Sequence, residues 1–127
     1  LRSSFLDEIG RYSYPVDIHA AKPDIGSFNQ FLKDHTELRY KKGESYGIPY
    51  GCLVPQNLAN VLTAGRCVST DRYMQSSIRV MPGCYITGQA AGIAAAMAAD
   101  GDVRAVDIRA LQHALRDRGA YLPNCPD

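Results

Sequence analysis

At 127 residues the chain is long enough to bury one packed core. With 46% hydrophobic and 21% charged residues it is excluded from the class of disordered, highly charged tails. The net charge is +1, and the densest basic cluster is only Arg39, Lys41 and Lys42, which excludes a nucleic-acid or membrane-surface role driven by bulk charge.

Taken in order, Leu1, Phe5, Leu6 and Ile9 fall near helical spacing. They predict the tail of a helix over 1–9, with Gly10 as its C-cap. Residues 11–19 alternate loosely through Tyr12, Tyr14, Val16 and Ile18 and read as a strand, with Pro15 tolerable only at an edge or bulge. Asp17 and His19 share one face of that strand. Residues 20–36 are mixed and polar, punctuated by Pro23 and Gly26, with Ser27 capping a short turn of helix through Phe28, Phe31 and Leu32. Residues 37–42 and 46–54 read as two strands joined by Gly43-Glu44-Ser45 in a hairpin, the second bent at Pro49. Residues 55–59 form a turn.

The stretch 60–99 carries the most information. Val61 and Leu62 suit a short buried strand, and Thr63-Ala64-Gly65 are small residues that let a backbone approach something closely. Arg66 is the first charge after them, and a polar loop runs on to Arg79. Pro82, suited to the first helical position, and Gly83 start a nearly side-chain-free helix through Ala99. Strand, glycine turn, loop and helix start is an order that presents backbone N–H groups and a helix N-terminus to electron-rich ligands. Along the helix, Gly88, Gly92 and Ala96 make a small-residue face. Tight packing is the better explanation of Gly92 and Ala96, whereas Gly88 serves packing or a cofactor equally well. After a turn at 100–101, Asp107 caps a last helix with Ile108, Leu111 and Leu115 on one face and Ala110 and Ala114 beside them, and Gly119 ends it. The tail, with Pro123 and Pro126, is extended.

The most apolar run, 84–99, is shorter than the ~20 residues of a membrane span. None of Cys52, Cys67, Cys84 and Cys125 stands in a CxxC pair, so no metal site is expected. Three lie in apolar segments, where a thiol behaves as a small hydrophobe. They read as reduced thiols in a cytoplasmic setting.

Several separated motifs occur together: Tyr14-Pro15-Val16-Asp17-Ile18-His19, Ile48-Pro49-Tyr50-Gly51-Cys52-Leu53-Val54-Pro55, 60–69, 75–82 and 88–96. In their order they resemble the C-terminal flavin-binding segment of a family of FAD-dependent oxidoreductases. That family is distantly similar to the flavoprotein subunits of fumarate reductase and succinate dehydrogenase. The resemblance covers most of 11–120, apart from a weakly matching insert at 20–45. It implies an α/β parent enzyme (α+β within this stretch) with a partial Rossmann-like FAD-binding domain and part of a mixed-sheet substrate domain. Residues 1–55 would belong to the substrate domain and 56–127 to the FAD-binding domain.

The resemblance also implies roles for individual residues. Ala64, Gly65 and Arg66 would run along the ribityl and pyrophosphate part of FAD, with Arg66 balancing phosphate charge or forming a structural ion pair. The helix beginning at Pro82 and Gly83, with Gly88 one turn on, would aim its N-terminus at the pyrimidine carbonyl of the flavin. Arg79 would hold a substrate carboxylate or orient its loop through a salt bridge. His19, beside Asp17, is a candidate proton carrier, with a structural role as its alternative. Many relatives carry a His-Glu pair where this chain has Asp71-Arg72-Tyr73-Met74. Tyr73 is the candidate hydrogen-bond donor in its place.

The first flavin motif of the family, a GxGxxG turn, is absent from these residues. The expectation is therefore the C-terminal portion of a longer enzyme that passes hydride between a small organic substrate and flavin N5. Its partners would be a small-molecule substrate and the N-terminal dinucleotide-binding part of the same protein, with no nucleic acid and no membrane. The isolated piece would tend to self-associate through an open apolar helix. The alternative is a non-catalytic packing or assembly domain that does not complete the FAD site. A small hydrolase lacks support, because no Ser/His/Asp set stands at useful spacing.

Overall fold

The computed structural model describes residues 3–20, 22–99 and 101–125. Leu1 of the expected first helix, Asp100 of the expected turn and Pro126 of the tail lie outside them. Among the described residues the fold is mixed α and β: a two-stranded antiparallel ribbon and four α-helices, with short 3-10 turns between them.

Strand β1 is Glu8–Tyr12 and strand β2 is Tyr46–Pro49, paired in the register Gly10↔Ile48 and Tyr12↔Tyr46. This corrects two expectations. Residues 8 and 9 belong to a strand and not to a helix. Gly10 is inside that strand, where the bare Cα admits the Ile86 side chain against it. The expected hairpin between 37–42 and 46–54 does not form. Glu37 ends a helix, and β2 finds its partner 38 residues earlier at the register pair Gly10↔Ile48. The bend expected at Pro49 is present: the strand stops there, and Tyr50–Leu53 turn as a 3-10 helix.

The free edge of β1 is occupied by a side chain. Gln112 Nε2 donates to the carbonyls of Leu6 (2.9 Å) and Glu8 (3.0 Å). Glu8 itself is fully buried, and its Oε1 accepts from Arg11 Nη1 at 2.7 Å and from the Phe5 amide at 3.0 Å. A buried carboxylate needs such partners, because desolvation would otherwise cost several kcal/mol.

Helix α1, Ile25–Glu37, begins at Asp24, which accepts from the Ser27 amide at 2.8 Å. The cap is thus Asp24, and Ser27 lies inside the helix. The carboxylate reaches the third amide as well as a hydroxyl would and sits at the positive helix end. No described residue of α1 is buried.

Val61 and Leu62 form no strand. The segment is held instead by the Thr63 amide donating to the Leu53 carbonyl at 2.8 Å. Within the expected polar loop lies helix α2, Arg72–Ile78, capped by Asp71. Helix α3, Met81–Met97, follows almost at once, with Val80 as N-cap. Met81 takes the first helical position, so Pro82 stands at the second, where its missing N–H is equally harmless. Helix α4, Ile108–Arg116, is capped as expected: Asp107 accepts from the Arg109 and Ala110 amides. Leu111 and Leu115 are fully buried and Gly119 follows in a left-handed conformation.

The core forms where α3 and α4 meet the ribbon. Ile9, Ile48, Leu53, Ile78, Ala90, Ala94, Leu111 and Leu115 are among its buried members. Arg104 closes the far side by donating to the carbonyls of Pro55 and Leu58, each at 2.7 Å. No helix among the described residues is long and apolar enough to cross a membrane.

Two glycines of α3 differ in what surrounds them. A Cβ on Gly83 would run into the carbonyl of Ile78, which is backbone and cannot swing away. A Cβ on Gly88 would meet nothing within 4 Å. Gly83→Ala should therefore destabilise the chain by about 2 kcal/mol or more. Gly88→Ala should stabilise it by about 0.5–1 kcal/mol through the unfolded state. Urea unfolding of both variants checks the pair, and equal effects would contradict this packing.

Candidate functional site

The site is built on α2 and on the extended segment that crosses it. Two consecutive serines of α2 grip that segment. Ser76 Oγ accepts from the Asp17 amide at 3.0 Å and donates to the Tyr73 carbonyl at 2.7 Å. Ser77 Oγ donates to the Tyr14 carbonyl at 2.6 Å and lies 2.8 Å from the Tyr46 hydroxyl. Serine is a weak helix former in isolation, but its short hydroxyl suits close contact between a helix and a strand-like chain. Burial pushes the Tyr46 phenol well above its ordinary range, so this hydroxyl is a neutral hydrogen-bonding group.

With the segment fixed, Asp17 reaches Arg79 at the C-cap of α2. Arg79 Nη2 is 3.2 Å from Asp17 Oδ2 and 3.4 Å from the Asp17 carbonyl. The same Oδ2 lies 3.7 Å from His19 Nε2. Two of the three expected catalytic residues, Arg79 and His19, thus share one carboxylate oxygen. Asp17 side-chain exposure is 21%, against 40% for Arg79 and 76% for His19, so the group opens outward from a half-buried acid.

Tyr73, the third, is 45% exposed and stands between two cavities. The smaller, about 230 Å³, runs between α1 and α2 and also contacts His19, Phe31 and Arg72. Phe31 stacks on His19 at 6.3 Å and on His35 at 5.7 Å between ring centroids. The larger, about 470 Å³, lies between β2 and residues 69–74, with Tyr46, Ile48, Cys52 and Met74 on its walls. That volume falls in the range of small-molecule sites.

The expected cofactor residues lie at the Gly65–Cys67 turn and on α3. Gly65 has φ +64, a conformation that glycine adopts freely, and Gly65–Cys67 form one 3-10 turn. The Gly65 amide donates to Thr87 Oγ1 at 2.9 Å. Thr87 is fully buried in the second turn of α3, so this bond ties the 64–66 loop to the start of the helix. Ala64 is half-buried beside it, and Arg66 is exposed. Among the described residues no carboxylate pairs with Arg66. Val80 offers no side-chain cap to α3, and its first turn holds no acidic residue. The amides there and the positive helix end have no counter-anion from the described chain. Pro82 is exposed, Gly83 is buried beneath the Ile78 carbonyl, and Gly88 lies on the open face.

Sequence reasoning paired Asp17 with His19 but missed the tie from Asp17 to Arg79, which spans 62 positions. It also missed Thr87, whose only signal was a single threonine in an alanine-rich helix, and Phe31 as a stacking partner of His19.

All four cysteines are free thiols, and no group of three or more metal-ligating side chains gathers among the described residues. Burial, with a smaller push from Asp7, raises the Cys52 thiol to about 11. At pH 8 almost none of it is the nucleophilic thiolate. Iodoacetamide at that pH should label exposed Cys67 at least about tenfold faster than Cys52. Peptide mapping over time checks the order, and parity would mean that Cys52 is not sheltered.

No curated protein and no solved structure gives a significant match to the chain. The family model for FAD dependent oxidoreductases matches residues 2–115, nearly the whole length. With the motifs of 60–99 gathered on a loop and helix start, the chain belongs to the family of FAD dependent oxidoreductases, whose cofactor is FAD and whose chemistry is flavin-linked redox.

Proposed function

We propose that this chain is the C-terminal portion of an oxidoreductase that passes hydride between a small organic acid and flavin N5. The observation that carries this reading is the Gly65–Thr87 hydrogen bond. It holds an arginine-bearing loop against the start of a 17-residue helix that has no counter-anion among the described residues. That arrangement suits one side of a flavin nucleotide, whose phosphates and pyrimidine edge are both electron-rich.

In this reading Ala64 and Gly65 would lie along the ribityl chain, and Arg66 would hold a phosphate. The N-terminus of α3 at Pro82 and Gly83 would face the pyrimidine edge. The bare surface at Gly88, open to beyond 4 Å, admits the dinucleotide-binding part of the protein. When bound, the flavin supplies hydride transfer at N5, with negative charge on its pyrimidine edge in the reduced form. The chain's own residues do the rest. Backbone amides and the dipole of α3 stabilise that charge. Arg79 binds the substrate carboxylate, as the resemblance to fumarate reductase suggests. The His19 imidazole or the Tyr73 hydroxyl carries the proton that leaves or joins the substrate.

The division of labour follows. Residues 1–55 contribute the substrate side through Asp17 and His19. Residues 56–127 return to a Rossmann-like FAD-binding domain.

The protein comprising this chain and its dinucleotide-binding part should purify with FAD or take it up when supplied. Arg66→Ala should weaken FAD binding by about tenfold, read by fluorescence titration of the apoprotein. A protein that binds no flavin under these conditions would sink the proposal and favour a packing domain without a cofactor.

A further inference from the structure

Arg79 and Asp17 together present more than a positive charge. On Arg79, Nη2 faces the Asp17 carboxylate and carbonyl, and Nε faces the Ser76 carbonyl at 3.4 Å. One edge of the guanidinium is therefore turned to the protein. Nη1 has no acceptor among the described residues. On Asp17, Oδ2 is the oxygen that meets Arg79 and His19, and Oδ1 has no donor among the described residues. A 3.2 Å ion pair thus leaves one donor on Arg79 and one acceptor on Asp17 without a partner among the described residues. Both side chains are partly exposed, at 40% and 21%, so a ligand can reach them.

We infer that the Arg79–Asp17 pair recognises a carboxylate with a hydrogen-bond donor on the adjacent carbon, that is, a small 2-hydroxy or 2-amino acid. The inference rests on the reading of Arg79 as the substrate-side arginine and gives that site a substrate class. The ligand carboxylate accepts from Arg79 Nη1. The hydroxyl or ammonium on its neighbouring carbon donates to Asp17 Oδ1. A simple carboxylate gains the first contact but brings its charge against Asp17 with nothing to offset it. The pair therefore selects against simple acids as well as for substituted ones. A site that expects a donor and meets a methyl group leaves its acceptor unpartnered, which is the stronger form of discrimination. His19, 3.7 Å from the Asp17 carboxylate, opens on the cavity of about 230 Å³ between α1 and α2.

Three probes share one branched skeleton and differ in a single substituent: pivalate (methyl), 2-hydroxyisobutyrate (hydroxyl) and 2-aminoisobutyrate (ammonium). None has a hydrogen on the carbon next to the carboxylate, so none is turned over there. Each is titrated into the flavin-loaded full protein, with binding read by calorimetry and by the flavin absorbance. The hydroxy or the amino probe should bind at least about tenfold more tightly than pivalate. Whichever of the two is tighter identifies the donor. Asp17→Asn should reduce that preference to less than about threefold while pivalate binds as well as before or better, because a repelling charge has gone. Arg79→Ala should lose all three. If the unmodified protein binds pivalate as tightly as the other two, the substrate class is wrong and the Arg79 anion site stands. If it binds none of them, or if Arg79→Ala binds all three unchanged, the anion site falls too. Should Asp17→Asn fail to fold, the probe series on the unmodified protein decides alone.

Discussion

The close passage of the end of α2 over the first turn of α3 is the constraint on which the site depends. The Ile78 carbonyl occupies the space that a side chain on residue 83 would need. Only with hydrogen there can two helices be joined by Arg79 and Val80 alone and still pack. That short joint leaves Arg79 little choice of position. Its backbone ends one helix, and the next residue caps the following one. A longer linker would have let the guanidinium wander, with a corresponding loss of entropy on binding. The tight joint makes that loss part of folding.

A second layer of control comes from small hydroxyl groups. Ser76, Ser77 and Thr87 are buried, and each joins two segments of backbone that no strand pairing connects. The first two fix the segment that carries Asp17 and His19. The third fixes the loop that carries Arg66. The segment of Asp17 and His19 and the loop of Arg66 are thus held to the same pair of helices by the same kind of bond. A buried hydroxyl loses more when unpartnered than it gains when satisfied, so these bonds act mainly to exclude other arrangements.

Helix α3, helix α4 with its Asp107 cap and the Gly65 turn were legible because their signals are local: residue spacing, a capping side chain and a glycine after small residues. The bend at Pro49 was legible for the same reason. The ribbon was not. Residues 1–9 carry apolar side chains at a spacing that suits a helix, and pairing with β2 overrode it. The strand pair is long-range, so no turn signal marks it. Helix α2 was hidden by its polar and hydroxyl residues, which read as loop until their partners are seen. At the candidate site, residue types were legible and their meeting was not. Asp17 was visible as a neighbour of His19 through the two-residue period of an extended chain. The contact with Arg79 depends on how the segment lies across α2, and that is set by Ser76 and Ser77, which carry no signature of their own.

Helix α1 stands apart from this economy of tethers. None of its described side chains is buried, and Ile25, Phe28 and Leu32 are exposed. A helix of 13 residues without a buried face is marginal in water, so its folding free energy is nearly independent of the core. The segment 25–37 is therefore one whose sequence can change without unfolding the rest. It forms one wall of the cavity that holds His19 and Tyr73. Evolution can thus rewrite the outer boundary of the pocket while the inner one stays under the stability constraint of the core. In this chain the capacity to acquire new ligands is separated, physically, from the requirement to stay folded.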